Sequence, residues 1–247
     1  MDNKEFHSIA RIDVRHQLFA NIAMRNYVLF KQSSKSLEDL GERREPDEQG
    51  YDLNVERKFH DLGEQEIESA FSVILYSAMC FESAIYDHAA QYFGDSYVAD
   101  HFDKLDLLSK WLVIPQLTWK RELRKGHAPY QHLATLVRAR NRLVHHKSEN
   151  IKMDDNLQME RLRRRSEEFK QDVENAMKAL ILISLEMDWL SDPPRSINPL
   201  PRFGVFVGYP EKRYPSEMAP LVSECKRIFA RSIGKGSEEH PVINPLG

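Results

Sequence analysis

Cysteine is scarce in this sequence, and so are the segments that direct a protein into a membrane or out of the cell. Cys80 and Cys225 are the only cysteines in 247 residues, too few for a disulfide framework and with no close partner for a metal site. The longest apolar run, near residues 176–185, is interrupted by Lys178 and Ser184 and falls short of the ~20 residues that cross a bilayer. The charged N-terminus has no apolar stretch before a small-residue cleavage site. We therefore expect a soluble, cytoplasmic protein without a membrane span.

The motifs of several enzyme classes are also missing. The chain has no His-Glu-x-x-His pair, no cysteine cluster and no carboxylates at a spacing typical of metal ligands, so a metallohydrolase is a weak hypothesis. It has no glycine-rich phosphate loop and no internal repeat. We expect neither a metal ion nor another cofactor.

Charge is distributed unevenly along the chain. A formal net charge of −3 and a pI near 6.4 exclude a globally basic nucleic-acid-binding protein. Residues 36–68 contain twelve acids and four Lys or Arg, whereas residues 119–147 contain eight Lys or Arg and one acid, Glu122. A charged run is most often a solvated helix face. The basic block becomes a candidate for binding phosphates because it also holds the motif described below.

Apolar residues recur at three- and four-residue spacing along most of the first 190 residues, which is the pattern of amphipathic helices. This predicts an all-α protein, a helical bundle of four to five helices in one main domain. Asp103 is a suitable N-cap for the shortest helix and Pro115 a suitable stop, and Asp154 or Asp155 would cap the last helix. The predicted helices are 5–40, where a break near Ser33–Ser34 is left open, 64–93, 104–113, 130–147 and 154–190.

Proline marks a change near the C-terminus. Nine of the twelve prolines follow residue 192, which indicates a separate region rather than a continuation of the bundle. There, residues 203–209 predict a short strand, residues 216–233 a short amphipathic helix, and the last fourteen residues a disordered tail. We divide the chain into an N-terminal helix with an acidic loop (1–63), a helical core (64–191) and a Pro-rich, partly irregular extension (192–247).

Two charged residues stand within apolar patterns. Arg140 follows Leu133 by seven residues, which places it in the middle of the apolar stripe predicted for its helix. Glu82 lies four residues after Ala78 and three before Ile85, within the apolar face of the central helix. Because buried charges need partners, we expect Arg140 and Glu82 to pair with each other or with a ligand. A buried ion pair that only fixes helix register is the alternative.

Asn141 and His145 are four residues apart and therefore share one helix face. The spacing would let Asn141 orient the imidazole by a hydrogen bond. Histidine titrates near neutral pH, as general acid or base work on a phosphodiester requires. A lone histidine on a helix is more often structural, but the neighbouring cations favour the catalytic interpretation for His145. We interpret His146 as a solvated neighbour.

The segment 140–145, Arg-Asn-Arg-Leu-Val-His, resembles the motif of the HEPN family of RNA-cleaving helical domains. In that family an arginine, often followed by asparagine, precedes a histidine by about four to six intervening residues, and four intervene here. The helix around residues 78–85 and the segment 105–111, followed by Pro115, are similar to the family's preceding helices. The resemblance covers roughly residues 64–190 and implies a HEPN-like bundle.

The resemblance implies a metal-independent endoribonuclease, of toxin or antiviral-defence type, that works as a homodimer. Two motif helices would form one cleft, where the 2′-hydroxyl of RNA attacks the adjacent phosphate and leaves a cyclic phosphate and a 5′-hydroxyl. In such a cleft Arg140 would stabilise charge on the phosphate and His145 would transfer the proton. Asn141 would position one of them, and Glu82 matches a polar position of the family's central helix.

The cations around the motif are predicted to bind RNA: Arg124, Lys125, Arg138, Arg142, His146 and Lys147. Family toxins that pair with a nucleotidyltransferase antitoxin usually carry a tyrosine where this chain has Lys147, so control by modification of that tyrosine is not supported. A regulatory or antitoxin protein stays open as a partner. The alternative function is a non-catalytic helical module that binds RNA or a protein through the same surface. The retained arginine and histidine favour the enzyme.

Overall fold

The computed structural model describes residues 15–41, 52–145, 156–190 and 214–234, and the regular secondary structure of these segments is entirely helical. The all-α prediction is therefore confirmed. The predicted strand at 203–209, the acidic loop and the C-terminal tail lie outside the described residues. The helices are α1 His16–Gly41, α2 Leu53–Phe93, α3 Asp95–His101, α4 Leu107–Trp119, α5 Ala128–Val144, α6 Asn156–Leu190 and, after a 3-10 turn at Ser216–Met218, α7 Ala219–Gly234.

α1 packs chiefly on α2 and is continuous through Ser33 and Ser34, where the sequence left a break open. The Ser33 hydroxyl donates to Oε1 of Gln65 on α2 at 2.8 Å, and the Ser34 hydroxyl donates to Glu66 on the same helix. Because both hydroxyls bond to the neighbouring helix, they do not compete for the backbone of α1. The two serines therefore join α1 to α2 without interrupting it.

α2 begins well before the predicted start at residue 64. Asp52 caps it by accepting a hydrogen bond from the backbone N–H of Asn54 at 2.8 Å. The first turns are charged and mostly exposed, so apolar periodicity does not mark them. The helix ends at Gly94, whose φ of 83° suits glycine. α2 thus runs across the boundary that the sequence suggested at residue 63.

By length and composition alone, α2 could cross a bilayer. The apolar runs in the sequence did not lead us to expect this. In this bundle 56% of its apolar window is buried, and Ile74, Phe81 and Ile85 are fully enclosed. The helices α1, α4, α5 and α6 all contact α2. The burial makes α2 the central core helix that the sequence predicted.

α4 differs from its prediction at both ends. Asp106, not Asp103, caps it: the side chain accepts from the Ser109 backbone N–H at 3.0 Å and from the Ser109 hydroxyl at 2.6 Å, and these bonds lower the pKa of the Asp106 carboxyl. Pro115 is buried inside the helix instead of ending it. The lost backbone bond is tolerated because the same helix buries Trp111 against the core, where its Nε1–H donates to the Phe81 carbonyl at 3.3 Å.

α6 is the second core helix, and α7 packs against it. The predicted helix at 216–233 is confirmed as the 3-10 turn followed by α7. Apolar residues of α7 such as Val222 belong to the same core as the bundle. Lys178 of α6 bonds to Glu224 of α7 at 2.8 Å and to Glu174 of its own helix at 3.2 Å. The described part of the C-terminal extension is therefore packed into the bundle.

Candidate functional site

α5 carries the Arg-Asn-x-x-x-His motif at its C-terminal end. Pro129 stands in the first turn, where its missing N–H costs no hydrogen bond, and the helix contains neither glycine nor an acid. Leu133, Leu136 and Ala139 are buried, which fixes the face of α5 that packs on α6 and α2. The position of the motif is thus set by burial of the first three turns.

The helix ends earlier than the predicted residue 147. Val144 is its last residue, and His145 is the C-cap residue, whose backbone N–H donates to the Asn141 carbonyl at 3.0 Å. His146 and Lys147, both predicted to contact RNA, lie outside the described residues. The histidine of the motif is therefore at the point where the chain leaves the helix.

Arg140 is exposed, and the prediction of a buried arginine is wrong within this chain. It shares the angular position of the buried Leu133, as expected, but this side of α5 is open to solvent two turns later. Val144, one turn further on, is 53% exposed. Ala139 remains buried and Leu143 still packs against the core, so the end of α5 stays attached to the bundle while the stripe through Arg140 and Val144 becomes a solvent-facing surface.

Asn141 positions Arg140 and not His145. Its Oδ1 accepts a hydrogen bond from Nη1 of Arg140 at 3.1 Å, whereas the imidazole of His145 is exposed. Residues in a helix are about 100° apart, so Arg140 and His145 project about 140° from each other. One chain therefore does not aim its arginine and its histidine at a common point.

Arg142 is tied to α6. Its Nη2 donates to Oδ2 of Asp172, a carboxylate that is 12% exposed, while the arginine itself remains 57% exposed. A nearly buried acid needs such a partner. The residue that was predicted to bind RNA therefore also joins α5 to α6.

Glu82 does not lie in the apolar face and does not pair with Arg140. It is 48% exposed, and its nearest basic partner is Lys110 of α4, with Oε2 and Nζ 3.7 Å apart. The buried side of α2 passes through Phe81, Ala84 and Ile85, which leaves the intervening Glu82 facing outward. The position of Glu82 within one chain therefore does not support its predicted catalytic role.

The remaining cations predicted to contact RNA lie along α5 and before it. Arg138 is exposed, and its Nη2 donates to the Thr135 hydroxyl at 2.8 Å. Arg124 and Lys125 lie in the loop that precedes α5. At about 1.5 Å per residue, the 17 residues of α5 separate this loop from the motif by about 25 Å. The basic block is therefore two clusters at opposite ends of one acid-free helix.

Glu186 of α6 is a buried carboxyl that the sequence analysis missed. It is 0% exposed, and neither side-chain oxygen has a hydrogen-bond partner among the residues that the structure describes. Burial raises the pKa of this carboxyl to about 7, and the charge of Arg124 opposes the rise. The signal was present: Glu186 is the one acid within residues 179–187. The charge of Arg124 thus affects a carboxyl inside the bundle, although Arg124 itself lies near the protein surface.

In comparisons with known proteins, no family model, no curated protein and no solved structure matches the chain. In the described segments, no three His, Cys, Asp or Glu side chains are grouped so as to hold a metal ion. What the site offers chemically is a guanidinium oriented by an amide and an exposed imidazole, both at the end of a helix without acids.

Proposed function

We propose that this protein is a metal-independent endoribonuclease of HEPN type, with a composite site formed by the α5 ends of two chains. The observation that carries the proposal is that Arg140, Asn141 and His145 are all exposed at the C-terminal end of α5. Within the described residues, none of these three side chains bonds to another helix, in contrast to Arg142. Exposed there, they are available to a substrate and to a second copy of the chain.

The need for a second copy follows from the geometry of one chain. Arg140 and His145 project about 140° apart, so one phosphate does not meet both from the same helix. Two α5 ends around a two-fold axis would bring the arginine of one chain towards the histidine of the other. The exposed Val144, which shares the face of Arg140, supplies apolar surface for that contact.

The proposed reaction is transesterification within the RNA strand. One imidazole removes the proton of the 2′-hydroxyl, O2′ forms a bond to phosphorus, and the bond from phosphorus to O5′ breaks. A second imidazole, from the other chain, protonates O5′ as it leaves. Arg140, held by Asn141, stabilises the charge that develops on the phosphoryl oxygens. The products are a 2′,3′-cyclic phosphate and a 5′-hydroxyl.

The test separates chemistry from binding. We expect His145→Ala to lower single-turnover cleavage of RNA by about 10²-fold or more, the scale for losing a general acid or base, while RNA affinity changes little. Product ends are scored for cyclic phosphate, and a chelator should leave the rate unchanged. If wild type and His145→Ala bind RNA equally and neither cuts it, the endoribonuclease proposal fails and a non-catalytic RNA-binding module replaces it.

A further inference from the structure

The loop before α5 borders a groove that the motif does not use. The groove has a volume of about 590 Å³, within the range of small-molecule sites, and lies between α4 and the loop. Leu117 is 54% exposed and Val113 is 38% exposed, so its apolar wall is open to solvent. Its walls are formed by the aliphatic side chains of Leu112, Val113, Leu117 and Leu123 and by the cations Arg124 and Lys125.

A polar stripe on the outer face of α5 leads from this groove to the motif. Gln131, Thr135, Arg138, Arg142 and His145 follow one another at four- and three-residue steps, so they share one side of the helix. The near end of the stripe is joined to the groove, because Nε2 of Gln131 donates to the Lys125 carbonyl at 2.5 Å. α5 contains no acid that would repel phosphates along the way.

We propose that this groove binds an unpaired nucleotide of the same RNA strand whose phosphate is cleaved at the motif, which deepens the proposed function and rests on it. The base lies against the aliphatic wall, as bases do between apolar side chains in other sites. Its phosphate lies beside Arg124 and Lys125. Gln116 and Glu122, which also line the groove, supply polar atoms for the edge of the base.

Charge favours a nucleic acid over an apolar protein segment in the groove. Its two cations exceed its single acid, Glu122, and the excess continues into Arg138 of the stripe, whereas Asp172 offsets the charge of Arg142. Between Gln131 and His145 the helix rises about 21 Å. A strand stacked at ~3.4 Å per nucleotide covers this distance with about six nucleotides, and with fewer if it is extended. A substrate that reaches both the groove and the motif must therefore span this distance as a single strand.

The experiment compares an oligoribonucleotide of about three nucleotides around a cleaved bond with one of about twelve. We expect Leu117→Ala and Lys125→Ala each to weaken binding of the long oligonucleotide by about 5-fold or more, and Leu117→Ala to leave binding and cleavage of the short one unchanged. The matched controls are Leu18→Ala, at a leucine that is 52% exposed on α1, and Lys226→Ala on α7. Neither control should change the binding or the cleavage of either oligonucleotide.

An abasic scan of the long oligonucleotide locates the bound base. For wild type we expect one position, remote from the cleaved bond, at which removing the base weakens binding, and Leu117→Ala should abolish that dependence. The inference is overturned if the variants weaken both lengths equally, if they weaken neither, or if Leu117→Ala changes only the mass measured by light scattering, which would indicate a protein in the groove. If wild type cuts no RNA but binding still depends on length in this way, the proposed catalysis fails and the proposal that the groove binds a nucleotide stands.

Discussion

The guanidinium of Arg142 donates a hydrogen bond to the carboxylate of Asp172, and this contact joins the motif helix α5 to the core helix α6. The pair is asymmetric, because the acid is 12% exposed and the arginine 57% exposed. Removal of the arginine leaves an acid almost without water or a partner, whereas removal of the acid leaves a solvated arginine.

We therefore expect Arg142→Ala to lower the free energy of unfolding by about 1–3 kcal/mol, the scale for leaving a buried polar group unpaired. Asp172→Asn should cost less, and the double variant should be no worse than Arg142→Ala alone. Urea denaturation measures all three. Arg138→Ala is the control, since Arg138 is exposed and bonds only to Thr135 among the contacts described; it should leave the unfolding midpoint unchanged. Equal losses for Arg138→Ala and Arg142→Ala would contradict the assignment.

The buried carboxyl of Glu186 predicts a pH dependence of stability. Its pKa is raised from 4.5 to about 7 in the folded protein, so between these values the folded state binds the proton more tightly than the unfolded state does. Stability should fall as pH rises through this window and level off above it. At 1.36 kcal/mol per pKa unit the loss is on the order of 3 kcal/mol.

Glu186→Gln removes the titrating group and keeps the shape of the side chain. We expect its stability advantage over wild type to be larger at about pH 8 than at about pH 5, because only wild type must bury a charge at the higher pH. Urea midpoints of the two proteins at both values give the difference, in which the other titrating groups cancel. An advantage that is equal at both pH values would show that Glu186 does not titrate in this window.

The attachment of α7 depends on Lys178, which bonds to both Glu174 and Glu224. Lys178→Met would leave two carboxylates facing each other without a cation, whereas Glu224→Gln leaves the lysine paired with Glu174. We expect the first variant to speed amide exchange in α7 more than the second does. Hydrogen exchange read by mass spectrometry checks this order, and the reverse order would show that Lys178 does not hold α7.

The proposed dimer places Val144 in its interface. Val144 is 53% exposed, so Val144→Asp should leave the fold intact while it breaks the contact between two α5 ends. We expect the variant to be a monomer by light scattering and to lose cleavage by about 10²-fold, as though one catalytic group were missing. Leu53→Asp, at a residue that is 78% exposed at the start of α2, is the matched control. A wild type that is monomeric at micromolar concentration would contradict the composite site.

The periodicity of apolar residues predicted the helices that bury an apolar face. It did not predict helical turns that bury none. The first turns of α2 are charged, so nothing in their spacing marked them. Pro115 indicated a stop for α4, since a proline breaks one backbone bond, but burial of Trp111 on that helix outweighs the break. At Pro115 a local signal thus gave way to packing, whereas the start of α2 has little packing that could leave a pattern in the sequence.

Arg140 illustrates a different limit. Spacing fixes the angle of a residue around its helix axis, and the angle was right, because Arg140 does follow Leu133 along one stripe. Spacing does not give the distance over which a neighbouring helix accompanies that stripe. The side of α5 that Leu133 and Arg140 share is buried at Leu133 and exposed at Arg140, although Ala139 and Leu143 keep the helix packed on the core to its last turn. For Glu186 the sequence did contain a signal, because it is a single acid in an apolar run. This acid does not belong to a recognisable motif.

The bonds between α1 and α2 also bear on how the chain folds as it is synthesised. Ser33 and Gln65 are 32 positions apart, whereas Gln32 of α1 meets Glu217, beside α7, across 185 positions at 3.4 Å. Contacts close in sequence cost less chain entropy and form sooner. We expect a nascent chain to pair α1 with α2 first. The surface of α6 that α7 covers stays exposed until α7 leaves the ribosome, and during that interval the chain is most prone to aggregation.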